Sequence, residues 1–76
     1  MIKSRNIDIF LTADVTVAAE ATAGTATVEE GTSIIGVIPT AQDQTIESVA
    51  ISGTTLTVTL AAAATADNTF TVTLIT

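Results

Sequence analysis

The chain has 76 residues, a net charge of −6, no Cys or His, and no cation other than Lys3 and Arg5. That composition rules out disulfides and Cys/His metal or haem sites, and it leaves no base for an ordinary nucleophilic triad. It also argues against nucleic-acid binding by the body of the domain, because phosphate contacts need a basic surface.

Seventy-six residues make one domain, near the lower size at which a core sustains a fold unaided. Scaffolds this small are completed by disulfides, by a metal or by association, and only association is open to this chain. An oligomer, or a subunit docked on a larger protein, is therefore expected. Lys3 and Arg5 followed by Ala21-Thr22-Ala23 mimic a signal peptide, but Asn6, Asp8 and Asp14 interrupt the apolar stretch that one requires. No signal peptide, membrane span or cofactor is expected. Residues 1–6 read as an N-terminal arm and residues 7–76 as a single β domain.

Thr and Ala supply 30 of the 76 residues, and Thr, Val and Ile suit a pleated, half-buried surface. From Ile7 to Val17 the odd positions Ile7, Ile9, Leu11, Ala13, Val15 and Val17 are apolar, and the even ones are mostly polar. This is the period of a strand with one dry face, and Phe10 falls on the wet side. Thr25 to Glu29 reads as a second strand, closed by the turn residues Glu30 and Gly31. In Ser33 to Ile38 the pairs Ile34-Ile35 and Val37-Ile38 put apolar groups on both faces, with Gly36 as a bulge and Pro39 as terminator. Two-sided burial in so small a domain implies that another chain covers one side.

Thr40 to Gln44 reads as a polar loop and Thr45 to Ser52 as a strand. Ser52-Gly53 signals a two-residue turn into the strand Thr55 to Leu60. There Leu56, Val58 and Leu60 face one way and three threonines the other; Thr69 to Ile75 repeats the scheme with Phe70, Val72 and Leu74 inward. Ala61 to Ala66 is too short to hold a helix and reads as a connection ending in the turn residues Asp67-Asn68. Val15–Val28 echoes Val58–Val72 with one residue inserted, which is the pattern of two strand-arch-strand units related by a pseudo-twofold or of two arches alike by chance. The fold class is all-β: a small antiparallel sandwich or barrel of about six short strands without substantial helix.

Chemistry-bearing groups are sparse. Glu29 and Glu30, adjacent in an extended segment, point to opposite faces, and Asp43 and Glu47 read as solvated surface charge. No loop has the carboxylate spacing of an EF-hand, and the four glycines are scattered singly, without a phosphate-binding signature. An enzyme is not expected. The Thr-x-Thr rows resemble the ice-binding faces of β-solenoid antifreeze proteins, but the short regular coils of those proteins are missing.

Two resemblances carry the functional expectation. The stretch Val49 to Leu60, followed by Ala66-Asp67-Asn68-Thr69-Phe70-Thr71-Val72-Thr73, resembles strand pairs of bacterial and phage immunoglobulin-like modules. That likeness implies an adhesion or tail-fibre binding module whose loops Thr40 to Gln44 and Ala61 to Asn68 do the recognising. The whole chain, rich in Thr, Ala and Val and nearly empty of Lys and Cys, is similar to small capsid decoration (cement) proteins of tailed bacteriophages. This second resemblance implies a virion structural protein that associates with itself, in some members as a trimer, and with a larger partner such as a major capsid protein. The contacts it implies are Lys3, Arg5, Ile7, Ile9 and Phe10, together with Ile35 and Ile38.

Overall fold

The computed structural model describes residues 10–76, which form six strands and no helix. The strands are β1 (Phe10–Val17), β2 (Ala23–Thr27), β3 (Ser33–Ala41), β4 (Ile46–Ser52), β5 (Thr55–Leu60) and β6 (Asn68–Ile75). Two three-stranded antiparallel sheets pack together, one ordered β1-β6-β3 and the other β2-β5-β4. The expected sandwich is therefore present. Its strand order differs from that of immunoglobulin domains, in which strands ABED face CFG.

Strict alternation makes β5 and β6 the central strands. Leu56, Val58 and Leu60 of β5 and Phe70, Val72 and Leu74 of β6 are buried. Val15 and Val17 of β1 and Ala64 of the β5–β6 arch close the core. Each large side chain so buried contributes about 1.5–3 kcal/mol, and cutting one to Ala costs about 2–5 kcal/mol.

Only β4 and β5 form a hairpin; every other connection crosses from one sheet to the other. The hairpin turn is Gly53-Thr54, one residue later than the sequence suggests, because Ser52 pairs with Thr55. Gly53 has φ +62°, and only the first central residue is left-handed, which is the II′ geometry that suits twisted strands. Glu29 to Thr32 closes a turn by a 3.3 Å bond from Thr32 N to Glu29 O, with Gly31 at φ +87°.

The internal echo corresponds to a real symmetry of pairing. A twofold that exchanges β1 with β5 and β2 with β6 turns the β1–β6 ladder into the β5–β2 ladder, and both ladders are present. With Val15 matched to Val58, Val15↔Phe70 and Val17↔Asn68 map onto Val58↔Gly24 and the 2.7 Å bond from Leu60 N to Thr22 O. In any such matching the register makes the second arch three residues longer than the first rather than one. The two arches bond to one another: Glu20 N donates to Ala64 O at 2.7 Å and Ala64 N to Ala21 O at 2.9 Å.

Besides a one-residue later start of β4, at Ile46, three boundaries differ from the sequence reading. β2 lies two residues earlier, at Ala23–Thr27, because Gly24 lets it pass against β1; a Cβ there would sit 2.2 Å from the carbonyl oxygen of Thr16. β3 continues through Pro39 to Ala41. As an edge strand bonded only to β6, it tolerates a residue without an N–H, and the register slips between Pro39 and Ala41. Asn68 is the first residue of β6 and not a turn residue. The bulge expected at Gly36 is present, between Ile34 and Gly36.

Candidate functional site

Three features stand out: the outer faces of the sheets, a polar knot at the arch end and a cleft at the opposite end.

On the outer face of the β1-β6-β3 sheet, cross-strand rows read Phe10–Ile75–Ser33, Thr12–Thr73–Gly36, Asp14–Thr71–Ile38 and Thr16–Thr69–Ala41. The outer rows of the other sheet are Thr27–Thr55–Ser52, Thr25–Thr57–Ala50 and Ala23–Thr59–Ser48. Asp14 is the only charged residue in either set, and it accepts a bond from the Thr71 hydroxyl at 3.3 Å. The remaining described carboxylates lie in loops or, for Glu47, in the β4 bulge. A charged protein therefore presents two nearly uncharged faces.

The first face is also the apolar one. Phe10 is 65% exposed, Ile35 at the β3 bulge 52% and Ile38 57%, while their neighbours Ile34 and Val37 pack against the core. The double-sided pattern of β3 thus has one side covered and the other open. Of the contact residues implied by the resemblance, Phe10 is exposed on β1 and Ile35 and Ile38 on β3, the two edge strands of this sheet. Lys3, Arg5, Ile7 and Ile9, with the arm itself, lie outside the described residues.

The polar knot ties the β3–β4 loop to the β5–β6 arch. Asn68, 1% exposed, accepts the amides of Asp43 (3.0 Å) and Gln44 (3.4 Å) at Oδ1. Its Nδ2 donates to Asp43 Oδ1 (3.2 Å) and to Ala66 O (2.9 Å). The Asp43 carboxylate also accepts the Thr65 hydroxyl and the amides of Thr65 and Ala66. The Thr65 hydroxyl is the main reason the Asp43 carboxyl is held below its ordinary 3.8; partial desolvation works against this, and Asn68 and the two amides add to the lowering. Asp67 Oδ1 accepts the amide of Ala19 at 2.9 Å, which joins the other arch to the same end. Asp43 is thus exposed but fully engaged, not merely solvated as the sequence suggests.

At the opposite end the seam between β1 and β2, tight at Thr16 and Gly24, opens into a cleft of about 310 Å³. Leu11, Ala13, Val28 and Leu74 give it apolar walls and Glu29 a carboxylate; Thr32 lines it too, with a buried hydroxyl that has no partner. Among the described residues no three Asp or Glu come together as a metal-binding group.

Compared with protein families, with curated proteins and with solved structures, the chain finds no match.

Proposed function

We propose that this protein is a structural subunit that works by fitting a sheet face against copies of itself and a larger protein, in the manner of the capsid decoration proteins it resembles. The observation that carries the reading is the open apolar side of the β1-β6-β3 sheet, where Phe10, Ile35 and Ile38 stand exposed around uncharged threonines. Depletion of charge and presence of aromatic and aliphatic groups are the marks of an interface centre. Apart from Asp14, the described carboxylates lie around these faces, where they keep the chain soluble and oppose random stacking.

The binding-module reading draws less support. The loops it would use for recognition spend their polar groups on each other, with Asp43 bonded to Thr65, Ala66 and Asn68. Contact repeated at many symmetric sites lets a modest interface suffice through multivalency. The test is the mass of the protein in native solution together with co-sedimentation on phage capsids stripped of their outer proteins. A concentration-dependent oligomer that co-sediments is expected; a monomer at all concentrations that binds no shell overturns the reading.

A further inference from the structure

The strongest unassigned feature is the cleft between the start of β1 and the β2–β3 turn. Among the described residues β1 bonds only to β6, and its other edge borders the cleft. Such an edge accepts an added strand, and alternate side chains of that strand enter the adjoining cavity. The walls grade from apolar, at Leu11, Ala13, Val28 and Leu74, to acidic at Glu29, with exposed Glu30 next in sequence.

One segment of this chain has the complementary order. In residues 3–9 the odd positions are Lys3, Arg5, Ile7 and Ile9, two cations followed by two isoleucines that would share one face if the stretch were extended. They include both cations of the protein. Between positions 3 and 7 an extended chain advances about 13 Å, enough to set isoleucines in an apolar cleft and cations at its acidic rim.

Resting on the subunit reading above, we propose that residues 1–9 of one copy occupy the cleft of a second copy and add a strand to its β1, with Ile7 and Ile9 inside and Lys3 and Arg5 at Glu29 and Glu30. Occupancy by the same copy would require a reversal directly before Phe10. Asp8 and Ile9 would then be the turn residues, and a β-branched residue is poorly suited to the left-handed positions of a tight hairpin. Residues 1–9 contain neither Gly nor Pro.

The absence of cysteine makes the test direct. An Ile7→Cys chain is mixed with a Val28→Cys chain under mild oxidation, and Ala62→Cys on the far arch replaces Val28→Cys as control. At least tenfold more mixed covalent dimer with Val28→Cys is expected. Yields equal to the control, or a doubly substituted chain that closes on itself as a monomer, overturn the proposal. Charge is tested separately: Glu29→Lys with Glu30→Lys should weaken self-association about tenfold, and adding Lys3→Glu with Arg5→Glu to the same chain should restore it. Failure to restore also overturns it. If a chain lacking residues 2–9 assembles as well as the full one, the exchange is wrong and the subunit reading stands; if the full chain never associates, both fall.

Discussion

Asp43 and Asn68 hold one another in both directions: the Asn68 amide group donates to the Asp43 carboxylate, and the Asp43 backbone amide donates back to Asn68 Oδ1. Asp43 lies in the β3–β4 loop and Asn68 opens β6, 25 residues on, and their reciprocal bonds fix the loop after β3 against the arch before β6.

Asn68 carries the larger share of that fixation because it is buried and serves four groups, the amides of Asp43 and Gln44, the carboxylate of Asp43 and the carbonyl of Ala66. Replacing it by Ala leaves part-buried donors without an acceptor, at about 1–3 kcal/mol per unsatisfied group. Asn68→Ala is therefore expected to lower the urea midpoint by the equivalent of about 2–3 kcal/mol with an unchanged m-value. Asn68→Asp, which keeps the acceptor and loses the donor beside another carboxylate, should be no better.

The same knot gives stability a pH dependence of definite sign. Asp43 titrates lower in the folded chain than the ordinary 3.8, so the folded state favours its charged form. The stabilisation is fully present above about pH 3.8 and is lost as pH falls through the lowered folded value. Urea titrations between pH 6 and pH 2 should show an acid decline that is shallower in Asp43→Asn, which cannot titrate. An unchanged acid limb in that variant would contradict the assignment.

How much of this was legible in the sequence follows from what period-two alternation encodes. It fixes which side chains face inward, so β5 and β6, whose threonines and aliphatics alternate without fault, read true almost to the residue. It does not fix a slip of two, because such a slip preserves the faces. That is why the echo shows one inserted residue where the ladders require three. Pro39 looks like a terminator unless the strand is known to be an edge, and edge status is a property of topology. The Asp43–Asn68 knot has no spacing signature, because its partners meet only through the sheet crossings. The exposed apolar groups were legible, since Phe10 breaks its alternation and Ile35 and Ile38 double theirs.

Gly24 is required by a close approach rather than by its backbone angle. A methyl group there would lie 2.2 Å from the backbone oxygen of Thr16, and neither strand can move without disturbing a ladder. Overpacking of this kind costs about 1–3 kcal/mol. Gly24→Ala should fall in the upper part of that range in chemical denaturation, whereas Gly36→Ala, with nothing near its would-be Cβ, should avoid that steric penalty.

Glu20 has φ +74°, the third residue of a turn closed by the bond from Ala21 N to Ala18 O. A positive φ at that position defines a type II turn, which favours Gly. Strain at a left-handed non-glycine residue is about 1–2 kcal/mol, and glycine gives back part of it through the entropy of the unfolded chain. Glu20→Gly is expected to stabilise the isolated domain by about 0.5–1 kcal/mol in thermal or urea unfolding.

Ile38 separates folding from assembly. It stands 57% exposed on edge strand β3, opposite Thr71, while its neighbour Val37 faces the core. Changing an exposed side chain away from caps and buried networks normally moves stability by no more than about 0.5 kcal/mol. A charge placed at the centre of an apolar contact must instead be desolvated whenever the contact forms, which weakens association strongly. Ile38→Lys should therefore unfold at nearly the wild-type urea concentration and yet lose self-association or shell binding by tenfold or more in sedimentation. Val37→Lys, by contrast, should lose the fold itself, because its side chain packs against the core. An Ile38→Lys chain that assembles normally would place the contact elsewhere than on the open side of the β1-β6-β3 sheet.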